Sequence, residues 1–186
     1  MENYNFYAPT RVLFGQGQLA NLHTLPMPGK KAMIVTSNGQ STIKNGSLAA
    51  TKKELEAAGC EYALFNKVSA NPLKETVEEG AQFARGNGCD FVVALGGGSV
   101  MDAAKNMAML APQPTDNLWD YVFTANGGKK APEIRCFRGS LSQPRPAPAP
   151  RWMRPASSPT PGQMRRSVSA ASQACLRSTR SWTRTS

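Results

Sequence analysis

Three short, mostly apolar runs mark the first two thirds of the chain, at residues 30–36, 61–65 and 90–95, and each predicts a strand. The run at 30–36 is continuous and apolar, as strands buried in a parallel sheet are. An earlier β-prone run at residues 11–15 ends in a GQG turn and, together with residues 4–7, predicts an opening hairpin. The pattern therefore predicts a hairpin followed by three further strands.

Helical stretches follow each of these three strands. The first predicted helix covers residues 47–58 and ends before Gly59, and the third runs from about residue 100 to residue 110. The second begins at Asn71-Pro72, with Asn71 as the N-cap and Pro72 at the first helical position. The apolar faces of the second and third helices comprise Leu73, Val77, Ala81 and Ala84, and Ala104, Met107, Ala108 and Ala111. The order β-α-β-α-β-α predicts an α/β fold with a parallel sheet and helices on its faces.

The chemical character of the chain changes after Ile134. All twelve Asp and Glu residues and all ten Lys lie in residues 1–134, together with two Arg, so this part is formally neutral. Residues 135–186 contain ten Arg and no Lys, Asp or Glu, so the net charge of +10 belongs to them. They are rich in Ser, Pro and Ala, and such a chain buries too little apolar surface to offset its ordering entropy. The sequence thus predicts one α/β domain over 1–134 and a largely disordered tail over 135–186.

Three features of the sequence bear on the cellular compartment. No apolar run approaches the ~18 residues of a membrane span, and MENYNFYAPT lacks the basic and apolar regions of a signal peptide. The four Cys residues show no CxxC spacing, which favours reduced thiols. We therefore expect a cytoplasmic protein without a membrane partner.

The turn after the third of these strands carries the strongest chemical signal, a run of three glycines and a serine before the next helix. Glycines allow the backbone to approach a bulky anion closely, and the free N–H groups and dipole of a helix N-terminus attract that anion. At a βα turn of this architecture the usual anion is a dinucleotide pyrophosphate. The alternative is a tight turn that only needs small residues, and three glycines alone do not decide between the two.

The complete string GGGSVMDAAK resembles the GGGSxxDxAK signature of the iron-dependent (group III) alcohol dehydrogenases. FYAPTRVLFGQGQL is similar to that family's opening hairpin, and the IVTSNG, SANPL and KKAP segments extend the similarity over residues 5–134. The resemblance implies a Rossmann-like N-terminal domain that binds NAD or NADP, and a C-terminal helical domain that binds a divalent metal, iron or zinc. It also implies hydride transfer between an alcohol or aldehyde and the nicotinamide, in a homodimer.

The resemblance also implies roles for individual residues by their position in these motifs. The implied pyrophosphate cradle comprises Gly96, Gly97, Gly98 and Ser99. Asp102 would lie toward the nicotinamide, and Asn71 would contact the cofactor from its loop. Each of these two has a structural alternative, because an Asp in a first helical turn complements the helix dipole and Asn71 is already explained as an N-cap.

Cofactor choice depends on the end of the first buried strand. Sites that select NAD usually place an acid there to bind the ribose hydroxyls, and family members with an Asp have it where Ser37 stands in this chain. The sequence has no acid between Ser37 and Glu54. The missing charge weakens discrimination against a 2′-phosphate, so the sequence leaves NAD and NADP open.

The sequence offers no set of metal ligands. The family's ligands are an Asp and three His from the helical domain, whereas this chain has one histidine, His23, and no HxxxH spacing. A single His is far more often a surface or packing residue than a ligand. We therefore predict neither metal-binding nor catalytic residues among the 186, and negligible catalysis by this chain.

The tail has two explanations. For residues 138–154, codons exist such that the frame starting one nucleotide earlier reads PGVALTTTPGTGSEVDA, which resembles the family's continuation TTxxGTGSE. Trp152 and Met153 each have a single codon, which constrains most of the VDA part. We therefore interpret the residues after about 134 as an out-of-frame reading of a dehydrogenase gene. The alternative is a non-catalytic nucleotide-binding module with a basic nucleic-acid-binding tail, which the scattered spacing of the arginines makes the less favoured hypothesis.

Overall fold

The computed structural model of the protein describes residues 11–122 and 127–142, with the backbone alone for 140–142. The strands in these ranges are β1 (Lys31–Ser37), β2 (Glu61–Val68), β3 (Phe91–Leu95) and β4 (Arg138–Ser142). The first three coincide with the apolar runs, so the predicted strands are confirmed. β4 was not predicted, because its sequence RGSLS lacks the β-branched and aromatic residues that favour strands.

The four strands form one sheet in the order β2-β1-β3-β4, and all three neighbouring pairs are parallel. From β1 the chain moves outward to β2 and then returns across β1 to β3, so the direction of winding reverses between β1 and β3. In open α/β sheets, ligands bind outside the carboxyl ends of the strands at such a reversal point. The predicted α/β fold with a parallel sheet is confirmed, and its topology locates one candidate site.

Helices cover both faces of this sheet. They are α1 (Ser41–Lys44), α2 (Ser47–Ala57), α3 (Lys74–Gly86) and α4 (Gly98–Leu110), and two short 3-10 helices cover Gln18–Thr24 and Leu118–Tyr121. α2 packs on one face, and α3 and α4 pack on the other. Right-handed crossovers explain this distribution, since a reversed winding direction moves the connecting helix to the opposite face. No helix in the described ranges is long and apolar enough to cross a membrane.

The core lies on both sides of β1. Met33 and Val35 pack with α3 and α4, whereas Ala32 and Ile34 pack on the α2 side, and all four are fully buried. In β2 only Phe65 and Val68 are buried, and the other residues are half-buried or exposed. Among the described strands β2 has a neighbour on one side only, so it is less covered than β1 and β3.

Two predicted helix starts are wrong. α3 begins at Lys74 with Leu73 as the N-cap, and no side chain caps it. Asn71 is therefore not the cap, and it has a left-handed backbone with φ 59°, whereas an N-cap residue usually has extended geometry. Leu73 is 59% exposed and lies off the buried face that it was expected to join. α4 begins two residues earlier than predicted, because Gly98 and Ser99 already have helical geometry.

The remaining predicted features of the helices are confirmed. Gly59 follows the end of α2 with φ 71°, the left-handed geometry that commonly terminates helices. The other predicted apolar positions are buried: Val77, Ala81 and Ala84 in α3, and Ala104, Met107, Ala108 and Ala111 in and after α4.

The strand predicted at 11–15 is absent from the described residues. Residues 11–14 have no regular structure, and Val12, Leu13 and Phe14 are exposed. A strand needs a hydrogen-bonded neighbour, and the predicted partner at residues 4–7 lies outside the described residues. Residues 143–186, most of the predicted tail, also lie outside them.

Candidate functional site

A cleft opens at the carboxyl ends of β1, β2 and β3, at the reversal point of the sheet. Its volume is ≈ 230 Å³. It is lined by Ser37 at the end of β1, Ser69 and Ala70 after β2, and Gly97, Gly98, Ser99 and Val100 at the start of α4. None of these side chains carries a charge. The cleft is thus built from short, neutral side chains, which lets a ligand approach the main chain.

The first turn of α4 borders this cleft. Gly97 is the N-cap, and no side chain caps the helix. The N–H groups of Val100 and Met101 donate to the Gly97 carbonyl at 3.0 and 3.1 Å. Those of Gly98 and Ser99 have no acceptor within the helix, as the geometry of a helix start requires. Free N–H groups at the positive end of the helix dipole suit an anion.

The three glycines of the turn differ in what requires them. Gly96 is buried, a Cβ there would lie 2.8 Å from Cγ2 of Val100, and its φ of 158° is one that other residues rarely adopt, so packing and backbone conformation explain this glycine. At Gly97 and Gly98 a Cβ would meet no neighbouring atom within 4 Å, and neither residue has a positive φ. The fold therefore does not require glycine at these two positions, whereas the close approach of a ligand would.

Ser37 occupies the end of β1 and is half-buried in the cleft wall. It pairs with Val68 of β2, and the N–H of Asn38 donates to the Val68 carbonyl at 2.9 Å, which holds the two strand ends together. Ser69 continues the wall from β2. Two short hydroxyl side chains therefore stand where NAD-selective sites usually place an acid.

Asn71 and Asp102 lie outside the lining. Asn71 directly follows Ala70, is exposed, and has the left-handed conformation that Asn tolerates better than most residues. Asp102 is the fifth residue of α4, so its expected place in a first helical turn is wrong, because the helix starts earlier than predicted. It is exposed, and its carboxylate lies 3.9 Å from the Lys105 ammonium. Asp102 follows Gly98 by four residues and shares its side of the helix.

The structure thus brings four of the predicted residues to one cleft: Ser37, Gly97, Gly98 and Ser99. Gly96 is buried next to the lining residue Gly97, Asn71 follows the lining residue Ala70, and Asp102 lies about one turn along α4 from Gly98. Ser69, Ala70 and Val100 also line the cleft and were not predicted from the sequence. The position of Ser69 and Ala70 after the second apolar run was the available signal, since the carboxyl ends of parallel strands meet at one edge.

The single histidine takes part in a structural contact. His23 Nδ1 lies 2.6 Å from Glu54 Oε2, and the His23 backbone N–H donates to the same oxygen at 3.2 Å. The hydrogen bond from His23 holds the pKa of Glu54 below its usual value. Within the described ranges, no group of three or more His, Cys, Asp or Glu side chains could hold a metal ion. The described residues therefore do not fit the metal that the resemblance implies.

The buried thiols offer no reactive group. Cys60 and Cys89 are free and buried, and burial raises the pKa of both. A raised thiol pKa keeps the side chain protonated and unreactive at neutral pH. These two residues serve packing.

Comparison with known proteins identifies one family. The model of the family described as "Iron-containing alcohol dehydrogenase" matches residues 9–137. The NADPH-dependent aldehyde reductase YqhD of Escherichia coli is 33% identical over 130 residues, which cover 70% of this chain and 33% of that protein. The 1,3-propanediol dehydrogenase of Klebsiella pneumoniae is 35% identical over 120 residues, 64% of this chain and 30% of that protein. The chain therefore spans about a third of the length of these curated relatives.

Solved structures agree with this match. An archaeal halo-thermophilic alcohol dehydrogenase from a Red Sea brine pool superposes with a TM-score of 0.69 and 32% identity, over 77% of this chain and 36% of that one. The NADH-dependent butanol dehydrogenase A of Thermotoga maritima superposes with a TM-score of 0.66 and 28% identity, over 76% of this chain and 34% of that one.

Proposed function

Because the chain belongs to the iron-containing alcohol dehydrogenase family, we propose that residues 1–134 are the cofactor-binding part of an NAD(P)-linked alcohol dehydrogenase. The cleft at the carboxyl ends of β1, β2 and β3 takes the dinucleotide. One observation carries this proposal: Gly97 and Gly98 have no packing reason to be glycine, yet they form an uncapped helix start in the cleft wall.

The described residues fit a dinucleotide in charge and in shape. The pyrophosphate is an anion, and no carboxylate lines the cleft. The free N–H groups of Gly98 and Ser99 are donors for its oxygens. The open space over Gly97 and Gly98 admits it to the backbone. Ser37 and Ser69 supply hydroxyls for the adjoining ribose.

Other residues have supporting roles in this proposal. Asp102 lies on the side of α4 that Gly98 shares and is oriented toward the nicotinamide portion, and Asn71 contacts the cofactor from the loop after Ala70. When bound, the nicotinamide supplies the centre that exchanges a hydride with an alcohol or aldehyde. This chain's residues bind and orient the cofactor and hold no metal, so we assign none of them a catalytic role.

A titration with reduced cofactor tests the binding proposal. The 186-residue chain is mixed with increasing NADH or NADPH, and the cofactor's fluorescence is followed. We expect saturable binding of at least one of the two at micromolar to low millimolar concentration, without alcohol or metal. No saturation by either cofactor would contradict the proposal.

Either cofactor is compatible with the proposal. Ser37 lacks the charge that repels a 2′-phosphate, and the names of relatives include both NADPH-dependent and NADH-dependent enzymes. The same titration decides the preference. Substituting Ser37→Asp should weaken NADPH binding more than NADH binding, since the new carboxylate would repel the 2′-phosphate and accept from the ribose hydroxyls.

We propose that residues after about 134 are an out-of-frame reading of the dehydrogenase gene. The family match ends at residue 137, directly before the segment whose alternative frame resembles the family's continuation. Sequencing the source DNA from codon 128 onward, read in all frames, tests this proposal. An adjacent frame that continues through TTTPGTGSEVD supports it, and the lack of such a frame contradicts it.

The 186-residue chain itself is expected to show negligible alcohol oxidation. Its sequence contains one histidine, already paired with Glu54, and the described residues offer no metal site. The assay is alcohol-dependent formation of NAD(P)H by the purified chain with added Fe²⁺ or Zn²⁺. Metal-dependent turnover would contradict the expectation. The homodimer and the cytoplasmic location that we infer are tested by sedimentation and by cell fractionation.

A second candidate function rests on the ten arginines and absent acids of residues 135–186. In this alternative the chain is a non-catalytic nucleotide-binding module whose tail binds nucleic-acid phosphates. Such binding weakens steeply with salt, because each neutralised phosphate releases counterions. Titrating a labelled oligonucleotide at two salt concentrations discriminates the two. Micromolar affinity with a steep salt dependence favours the alternative, whereas weak binding at physiological salt favours the dehydrogenase part.

A further inference from the structure

Three Asn-Gly pairs lie wholly within the described residues, at 38–39, 45–46 and 87–88, and a fourth, at 126–127, begins outside them. An asparagine before a glycine is prone to deamidation, because no Cβ hinders the glycine nitrogen when it attacks the side-chain amide carbon. The attack needs a free glycine N–H and an amide group that can turn toward it. Hydrogen bonds on either group therefore oppose the reaction, and the three pairs differ in these bonds.

The pair Asn45-Gly46, between α1 and α2, is held on both groups. The Gly46 N–H donates to the Ile43 carbonyl at 3.1 Å. Asn45 Oδ1 accepts from the Ser47 backbone N–H at 3.0 Å and from the Ser47 hydroxyl at 2.7 Å. Gly46 also has a positive φ of 73°, so the backbone conformation explains why this residue is glycine.

The pair Asn87-Gly88, at the end of α3, is held in the same way. The Gly88 N–H donates to the Arg85 carbonyl at 3.0 Å. Asn87 Nδ2 donates to the Phe83 carbonyl at 2.8 Å, which is a hydrogen bond to the last turn of the helix. Gly88 has a positive φ of 65°, so its backbone conformation again explains the glycine.

The pair Asn38-Gly39, directly after β1, is exposed and lacks these restraints. Neither the Gly39 N–H nor the Asn38 side-chain amide makes a hydrogen bond with the described residues. The backbone N–H of Asn38 is bound, to the Val68 carbonyl at 2.9 Å. Gly39 has no positive φ, and the nearest atom to a Cβ there would be Ser37 Oγ at 3.7 Å, an ordinary contact. The fold therefore does not require glycine at this position.

We propose that Asn38 is a site of spontaneous deamidation. The Gly39 nitrogen forms a new bond to Asn38 Cγ, and the bond between Cγ and the side-chain nitrogen breaks. That nitrogen leaves as ammonia, with the proton that Gly39 gives up. Water then opens the resulting succinimide ring at one of its two carbonyls and leaves an aspartate or an isoaspartate at position 38. The reaction consumes one water and needs no oxidant, metal or enzyme.

The new carboxylate would follow Ser37 at the end of β1, where NAD-selective sites usually place an acid. Deamidation adds a negative charge beside a cleft whose lining has none. This consequence rests on the proposed function, in which the cleft binds the dinucleotide. Because the carboxylate repels a 2′-phosphate, deamidation should weaken NADPH binding more than NADH binding. The cofactor preference of the protein therefore shifts as the protein ages.

Peptide mapping tests the modification without any cofactor. Trypsin cuts after Lys and Arg and releases residues 32–44, 45–52 and 86–105 as separate peptides, each with one of the three asparagines. The 186-residue chain is kept at mildly alkaline pH for several days and then digested, and fragment masses distinguish Asn38 from Gln40. We expect deamidation of Asn38 at least about tenfold faster than in the other two peptides, since each of those pairs is held by hydrogen bonds.

Two controls show whether the structure causes this difference. In urea the hydrogen bonds of all three pairs are lost, so the three peptides should deamidate at similar rates. Gly39→Ala adds a Cβ beside the attacking nitrogen at a position that tolerates it, so deamidation of Asn38 should nearly cease in a folded protein. Equal rates for the three pairs in the folded chain, or an unchanged rate in Gly39→Ala, would overturn the proposal.

The consequence for binding is tested with Asn38→Asp, which adds the same charge as deamidation. Its affinity for NADPH should fall at least about fivefold more than its affinity for NADH. Asn87→Asp is the matched control, since it adds the charge just before β3, at the opposite end of the strands from the cleft, and should not change the ratio. Equal changes for both cofactors in Asn38→Asp would contradict the consequence. If the unsubstituted chain binds neither cofactor, the proposed function fails together with this consequence, and the peptide map alone decides the modification.

Discussion

The amino ends and the carboxyl ends of the strands, called here the amino edge and the carboxyl edge, differ in how their charged and hydrogen-bonding groups are paired. At the amino edge, the Asp90 carboxylate accepts hydrogen bonds from the backbone N–H groups of Lys30 and Lys31 at 2.8 and 2.9 Å, and Lys31 pairs with Glu61 at 3.1 Å. At the carboxyl edge, no carboxylate touches the cleft, and the first N–H groups of α4 have no intrahelical acceptor. At the amino edge the charged groups are paired within the protein, whereas at the carboxyl edge backbone N–H donors remain available to a ligand.

Glycine illustrates the same difference. A Cβ at Gly29, on the amino edge, would lie 2.3 Å from Asp90 Oδ1, so that glycine is needed for packing. A Cβ at Gly98, on the carboxyl edge, would meet nothing within 4 Å. The same residue type thus serves stability at the amino edge and, in our proposal, ligand access at the carboxyl edge.

The largest effect on stability is expected at the amino edge. Asp90→Ala removes the acceptor of two backbone N–H groups, and hydrogen bonds to charged groups contribute about 1.5–3 kcal/mol each. Because Asp90 is partly solvated, we expect a loss of about 2 kcal/mol in the free energy of unfolding, measured in urea. Asp102→Ala is the matched control, since its exposed ion pair contributes at most about 1 kcal/mol. Equal losses for both variants would contradict the contrast between the edges.

A loss of similar size is expected at Gly96, the one glycine of the turn that packing requires. Gly96→Ala places a methyl group 2.8 Å from Val100 Cγ2, and overpacking of this kind costs about 1–3 kcal/mol. The double substitution Gly96→Ala with Val100→Ala should recover part of that loss, because it removes the clashing methyl. Urea denaturation of both variants measures the effect. A fully stable Gly96→Ala protein would show that the turn is looser than the structure indicates.

The smallest expected effect is a pH dependence of the stability, which arises from the contact between His23 and Glu54 of α2. The hydrogen bond from His23 lowers the pKa of Glu54 in the folded state, so this contact stabilises the fold fully above the usual value of 4.5, and the contribution is lost as the pH falls from there through the lowered folded-state pKa. The destabilisation caused by His23→Gln should therefore shrink as the pH is lowered from 7 to below 4.5. Nucleotide affinity at pH 7 should be unchanged, since neither residue lines the cleft. A destabilisation that stays constant throughout the acid range would contradict the role of the pair.

Much of the fold could be predicted because it depends on local pattern. The apolar runs of β1 and β3 are buried by neighbours on both sides, so their composition reflects their environment directly. The start of α3 could not be predicted, because an Asn before a Pro is equally compatible with an N-cap and with the left-handed conformation that Asn71 has. β4 was missed because it depends on pairing with β3, which the sequence RGSLS does not reveal.

The candidate site was predicted in part. Motif and strand position identified Ser37 and the glycine turn, whereas the distinction between Gly96 and Gly98 required the distance to Val100. Asn106 is another feature that only the structure reveals. It is fully buried in α4, its Nδ2 donates to the Asp102 carbonyl at 2.6 Å, and its Oδ1 accepts no hydrogen bond from the described residues. A sequence pattern records that a residue is polar and leaves its hydrogen-bond partners undetermined.

A charge placed at Gly98, with stability and nucleotide affinity measured together, tests the dinucleotide site most directly. Gly98→Asp puts a carboxylate in the first turn of α4, where it should stabilise the helix by about 0.3–1 kcal/mol and repel a pyrophosphate. We expect a protein at least as stable as the unsubstituted chain, with NAD(P)H affinity at least about tenfold weaker. Gly86→Asp, which adds the same charge in open space on α3, should leave the affinity unchanged. Unaltered binding by a folded Gly98→Asp variant would show that the pyrophosphate does not bind at this helix start.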